Sequence, residues 1–179
     1  MKKRTIGILA ILAAAGASVF ALAQGMLTPE TTPAIPDTPS QPCAYTWAYE
    51  NLPDITAELQ AAIEKILPEA EAHATAFGED CVAQDGSVTF GAMETDFYLR
   101  VPVSDLYDDE TLGSFVEQVL SITDGFESPR VPGPKDGFVE FTFLNGTEQR
   151  IVRVQIPLGK QMRGQGLHGA ELLNALETP

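Results

Sequence analysis

The sequence predicts an α+β domain. An antiparallel sheet of about four strands carries helices on one face, preceded by a signal peptide and a proline-rich spacer. Three observations carry that expectation. Residues 138–156, "FVEFTFLNGTEQRIVRVQI", hold two alternating β-rich runs around Asn145-Gly146, a tight-hairpin signal. Two stretches, after Asp54 and after Asp108, repeat apolar residues at helical spacing. The segments follow in the order α–β(β)–α–β–β–α, and the strands are apolar on one side only, as in a sheet covered on one face.

The chain opens with an address. "MKKR" is a positive n-region, residues 5–20 are apolar, and "ALA" before Gln24 forms a small-x-small cleavage site. Residues 1–23 are expected to be a signal peptide. The alternative is an uncleaved anchor over residues 5–23, which approaches the roughly 20 residues that span a bilayer. Residues 24–42 are expected to be a spacer, because five prolines fall between positions 28 and 42 and forbid helix. Residues 43–179 are expected to form a single domain.

At its start Tyr45, Trp47 and Tyr49 share one parity, and large aromatics beside a cysteine are expected to cover the core. Asp54 reads as an N-cap after Pro53. Ile55, Leu59, Ala62, Ile63, Ile66, Ala70 and Phe77 mark a helical stripe, kinked or restarted at Pro68 and ended by Gly78. On that stripe His73 is expected to be packed. Further on, Val88, Phe90 and Ala92 are apolar at even positions, but Phe97, Leu99, Val101 and Val103 at odd ones. A turn or bulge near Glu94-Thr95 resolves the conflict, and Pro102 marks an edge or a strand end. Leu112, Phe115, Val116, Val119 and Leu120 define the second helix, begun by acids. A proline- and glycine-rich loop leads to the hairpin, where Leu144 pairs with Thr147 and Val139 with Val152, while Glu140 lies near Arg153. A short helix over residues 170–177 follows.

Charge and cysteines bound the function. Beyond residue 23 there are eight Lys or Arg against 25 Asp or Glu, a surface that repels nucleic acid and anionic lipid. Nucleic acid is thus excluded as a partner, and a membrane is reached only through the N-terminal segment. Cys43 and Cys81 are the only cysteines, and in an exported chain they are expected to pair, tying the far end of the first helix to the segment before it. Such a bridge stabilises a fold by roughly 4 kcal/mol in the chain-entropy model.

"GQGLHG", residues 164–169, fits the G-x-G-x-x-G fingerprint between a strand-like and a helix-like run. Ten residues follow Gly169, with no returning strand and no acid about 20 positions on to hold a ribose. No cofactor is expected. Around this loop, however, Arg150, Arg153, Lys160 and Arg163 place four of those eight cations in fourteen positions, and His168 joins them. These five are candidates for holding a small anionic ligand or a protein partner, against the plainer reading that they balance an acidic body.

Asp105, Asp108, Asp109 and Glu110 read as helix-capping groups rather than a calcium site. Zinc lacks ligands once the cysteines are joined, no G-x-S-x-G elbow exists, and nothing nominates a catalytic residue. The expected function is an exported binding or interaction domain, periplasmic or at the cell surface and non-catalytic. The alternatives are a small exported hydrolase using carboxylates, and an inhibitory or structural envelope domain.

Overall fold

Strand alternation, not helical spacing, governs the residues after Pro68. Ala70, Ala72, Ala74 and Ala76 are all buried, while Glu69, Glu71 and His73, of the opposite parity, are exposed. The computed structural model describes residues 43–177, and the expected leader and spacer both lie outside the described residues. The elements are β1 (Ala44–Asn51), α1 (Pro53–Ile63), β2 (Glu71–Val82), β3 (Val88–Pro102), α2 (Asp109–Thr123), β4 (Lys135–Asn145), β5 (Glu148–Gln155), α3 (Ile156–Gly164) and α4 (Gly169–Glu177).

The fold is α+β, but the sheet differs from the expected one. It has five strands in the order β1-β2-β3-β4-β5, and it is mixed: β3 and β4 run parallel while the other neighbours are antiparallel. A parallel pair needs a crossover, and α2 with the loop after it supplies one. The first helix is also shorter than its apolar stripe suggested. It ends at Ile63, before Pro68, and Phe77 belongs to β2. Leu52 rather than Asp54 is its N-cap, with Pro53 at the first position and Asp54 in the first turn.

The parity conflict in β3 is met by a bulge. Phe77 pairs with Glu94 but Gly78 with Ala92, so Met93 is the extra residue and β3 runs on unbroken. Gly78 is required there, because a Cβ would collide with the Gly91 carbonyl across the ladder. Pro102 ends β3, a central strand. In the hairpin, Asn145 faces Glu148 around a Gly146-Thr147 turn. The register is two residues from the expected one, which preserves every side chain's face: Val139 lies opposite Val154, and Glu140 directly opposite Arg153. After Gln155 the strand-like "IPLG" turns helical with Pro157 in the first turn of α3, a place that tolerates proline.

One apolar core joins α1, α2 and α4 to the inner face of the sheet. Leu59, Leu99, Val116, Phe141, Val154 and Leu173 are among its fully buried members. All five stripe residues expected for α2 are buried, and Asp108 caps that helix by accepting the Thr111 N–H at 3.1 Å. None of the described helices is long and apolar enough to cross a membrane.

Candidate functional site

Among the described residues no helix packs on the other face of the sheet, and its side chains follow from register. Alternation puts Tyr45, Trp47 and Tyr49 of β1, His73, Thr75 and Phe77 of β2, and Asp96 and Tyr98 of β3 on it. Phe138 and Glu140 of β4 and Arg153 of β5 lie on it too, and towards the end of the sheet it continues through Glu71, Arg100, Thr142 and Ile151. Rings dominate this surface. Trp47 stacks on Phe77 with centroids 5.3 Å apart, and Tyr49 leans on the same ring at 5.1 Å. Farther across, His73 stacks on Tyr98 at 4.9 Å, Tyr98 meets Phe138 edge-on at 5.5 Å, and Arg153 sits over Phe138 at 4.3 Å. Arg153 is also paired with Glu140, which raises the pKa of its guanidinium.

Two of the sequence expectations are overturned here. Tyr45, Trp47 and Tyr49 are not core cover but are each about two-thirds exposed, because β1 lies at the sheet edge beyond the reach of the helices. His73 is not packed on a helix but exposed on β2, again because residues 70–77 alternate.

Between the two ring clusters the surface hides polar groups. Asp96 is 1% exposed and accepts the Phe138 N–H at 3.2 Å; Gly137 permits this approach, since a Cβ there would strike the carboxylate. Burial pushes the Asp96 carboxyl up to about 6, with Glu94 pushing the same way and the Phe138 N–H and Arg153 opposing. Thr75, its cross-strand partner, is buried, and its Oγ1 lacks a hydrogen bond of normal geometry. Burial likewise raises the Tyr98 phenol, helped by the charge on Asp96.

The disulfide joins Cys43 to Cys81, with Cα atoms 5.1 Å apart. It fastens the start of β1 to the neighbouring strand β2, not to the end of a helix. With β1 so held, the ends of β2 and β3 beyond Gly78 and Ala92 form a three-stranded ribbon whose residues are exposed or half-buried on both faces.

The five basic candidates do not converge. Arg153 lies on the uncovered face. Arg150, two residues back, is on the helix side, where it binds Glu177 and Asp109 and donates to the Leu106 carbonyl at 2.9 Å. On α3, Arg163 forks onto Asp124 at 2.9 Å and also reaches Ser121, while Lys160 meets Glu127 at 2.7 Å. His168 Nδ1 is 2.7 Å from Glu117. Each thus meets a carboxylate of its own chain, and three of them fasten α3 and the following turn to α2 and its exit.

A cleft of about 460 Å³ opens at the end of the sheet beside α2. Leu67, Val101, Phe115 and Phe143 line it, with Asp105, Asp108 and Glu110. Those carboxylates already hold the backbone: Asp105 accepts the Tyr107 N–H, Asp108 that of Thr111, and Glu110 that of Ala170. Asp109, the fourth acid of that run, holds Arg150.

Sequence reading missed the inner part of the aromatic face. Phe77 and His73 were hidden by the helical stripe, though the Ala-x-Ala-x-Ala alternation of residues 70–76 signalled a strand. Asp96 had no local signal, since its burial comes from strands distant in sequence. No protein-family model, no curated protein and no solved structure matches this chain.

Proposed function

We propose that this chain is an exported, non-catalytic binding domain, periplasmic or at the cell surface, and that it binds through the uncovered aromatic face. The Cys43–Cys81 bridge suits an oxidising compartment. One observation carries the binding reading: Tyr45, Trp47 and Tyr49 stand in a row on an edge strand, each about two-thirds exposed. Exposed rings grouped in this way, rather than scattered singly, mark interaction surfaces, where Trp and Tyr are the commonest energetic anchors. Stacking on Phe77 holds two of them in place before a ligand arrives, which lowers the entropy cost of binding. The carboxylates favour binding over hydrolysis as well. Those at the cleft are engaged with backbone N–H groups, and Asp96 is roofed over by its neighbours.

Trp47 is the only tryptophan, so its fluorescence reports directly on this surface. The purified protein is expected to capture a component of the native cell envelope with a change in Trp47 emission. Tyr49→Ala should weaken capture by at least about tenfold, the size of a typical aromatic anchor. Capture that survives Tyr45→Ala/Tyr49→Ala but is lost in Lys160→Ala/Arg163→Ala would move the binding site to the basic cluster and its anionic ligand.

A further inference from the structure

We propose that the open edge of β1 takes an extended, basic peptide segment as a sixth strand of the sheet. The inference rests on the aromatic-face reading above and names its partner class.

The backbone of β1 is set up for such an addition. Among the described residues no strand lies beyond it, so one edge of its eight residues is unpaired. Leu52 N–H donates to the Ala74 carbonyl at 3.1 Å in the same register as the β1–β2 ladder. Antiparallel alternation from that pair turns the N–H and C=O groups of Tyr45, Trp47 and Tyr49 towards the open edge. The usual guards against pairing are missing: β1 has no proline, lysine or bulge, and Glu50 is its single charge. The disulfide and the Phe77 stacks hold the strand extended, so a partner finds a template already formed.

Charge selects the partner. The ribbon, residues 43–51 and 77–94, carries Glu50, Glu79, Asp80, Asp85 and Glu94 and no Lys, Arg or His. Register puts Glu79 beside Trp47 on the aromatic face, and Asp80 beside Thr46 on the reverse. A strand laid along β1 points alternate side chains to these two faces, so lysines or arginines meet a carboxylate on either side. On the aromatic side they also cross the faces of Trp47 and Tyr49, a cation–π arrangement. A second copy of this chain would bring an equally acidic ribbon to the edge, which the same charges oppose.

The test is a titration of the full chain, read by Trp47 fluorescence, with three synthetic peptides of about eight residues, the length of a strand. One alternates Lys with Val, one alternates Glu with Val, and one repeats the basic sequence with every backbone nitrogen methylated so that neither of its edges can donate to a ladder. The basic peptide is expected to bind, to slow amide exchange at Tyr45, Trp47 and Tyr49, and to weaken at least about tenfold between about 50 and 500 mM salt. Glu79→Gln/Asp80→Asn should lower its affinity similarly, with an unchanged circular dichroism spectrum. Equal binding of the methylated peptide, or of the acidic one, would overturn strand addition or charge selection respectively. If no peptide binds while envelope capture still depends on Tyr49, the partner class is wrong and the aromatic surface stands. If capture fails too, both readings fall.

Discussion

The Glu110 carboxylate, in the first turn of α2, accepts the Ala170 N–H at 3.0 Å at the start of α4. The position that a ligand phosphate occupies in a glycine-rich nucleotide loop is therefore taken here by the protein's own carboxylate. "GQGLHG" serves packing: Gly169 adopts φ +49°, and its carbonyl lies so close to Gly113 that a Cβ on Gly113 would collide with it. The glycines let α2 and α4 cross backbone to backbone.

Gly113→Ala should therefore destabilise the fold although alanine is the better helix former. Propensity alone favours the change by up to about 1 kcal/mol. Forcing a methyl against the Gly169 backbone costs about 1–3 kcal/mol, and rigid backbone atoms on the far side put this case at the upper end. Urea unfolding should show a lower midpoint with an unchanged slope. A rise in the midpoint would mean that the helices can separate at no cost.

Arg150 links three elements, with Glu177 at the end of α4, Asp109 at the start of α2, and the Leu106 carbonyl between β3 and α2. Hydrogen bonding to Glu177 is the largest cause holding its pKa above the ordinary arginine value. Its two bonds to Glu177 use the guanidinium fork, which lysine cannot reproduce. Arg150→Lys should cost about 1 kcal/mol and Arg150→Ala about 2, both discounted for partial exposure. Thermal unfolding at low and high salt checks this. Equal stability of wild type and Arg150→Lys would show that charge without geometry suffices.

What could be read from the sequence divides along the range of the forces involved. The stripe of α2, the Asp108 cap, the β3 bulge and the hairpin were written within windows of a few residues, and they stand nearly where the pattern put them. Residues 70–77 were ambiguous because alanine suits either period, and only pairing with β1 and β3 decides for a strand. Exposure of Trp47 and burial of Asp96 depend on where β1 and β4 come to lie, which no local window contains. The cysteines could be paired by count, yet what the bridge fastens changed once β2 replaced the end of a helix.

That bridge should matter most locally. Among the described residues β1 is joined to β2 by one ladder and by two ring contacts to Phe77. Cys43→Ser/Cys81→Ser opens a loop of 38 residues' separation, for which chain entropy gives a loss of about 4 kcal/mol. Amide exchange should accelerate in β1 under native conditions while the central strand β4 keeps its protection relative to the lowered global stability. Uniform acceleration across the sheet would mean that β1 does not open separately.

Asp96 gives stability a pH dependence of unusual sign. In the unfolded chain its carboxyl titrates at the ordinary value of 3.8, and in the fold burial raises it to about 6. Between those values the folded state keeps a proton that the unfolded state has lost, so this group's contribution falls as pH rises through the window. The favourable contribution is complete below about 4 and gone above about 6, a difference of about 3 kcal/mol. Glu94, Tyr98 and Arg153 act on the same carboxyl, so the comparison must be made against a variant that leaves them in place. Asp96→Asn keeps an oxygen for the Phe138 N–H and removes the charge. Relative to wild type it should be more stable at pH 7.5 and about equal at pH 4, the gap opening through the window. Parallel pH–stability curves for the two proteins would show that Asp96 does not titrate there.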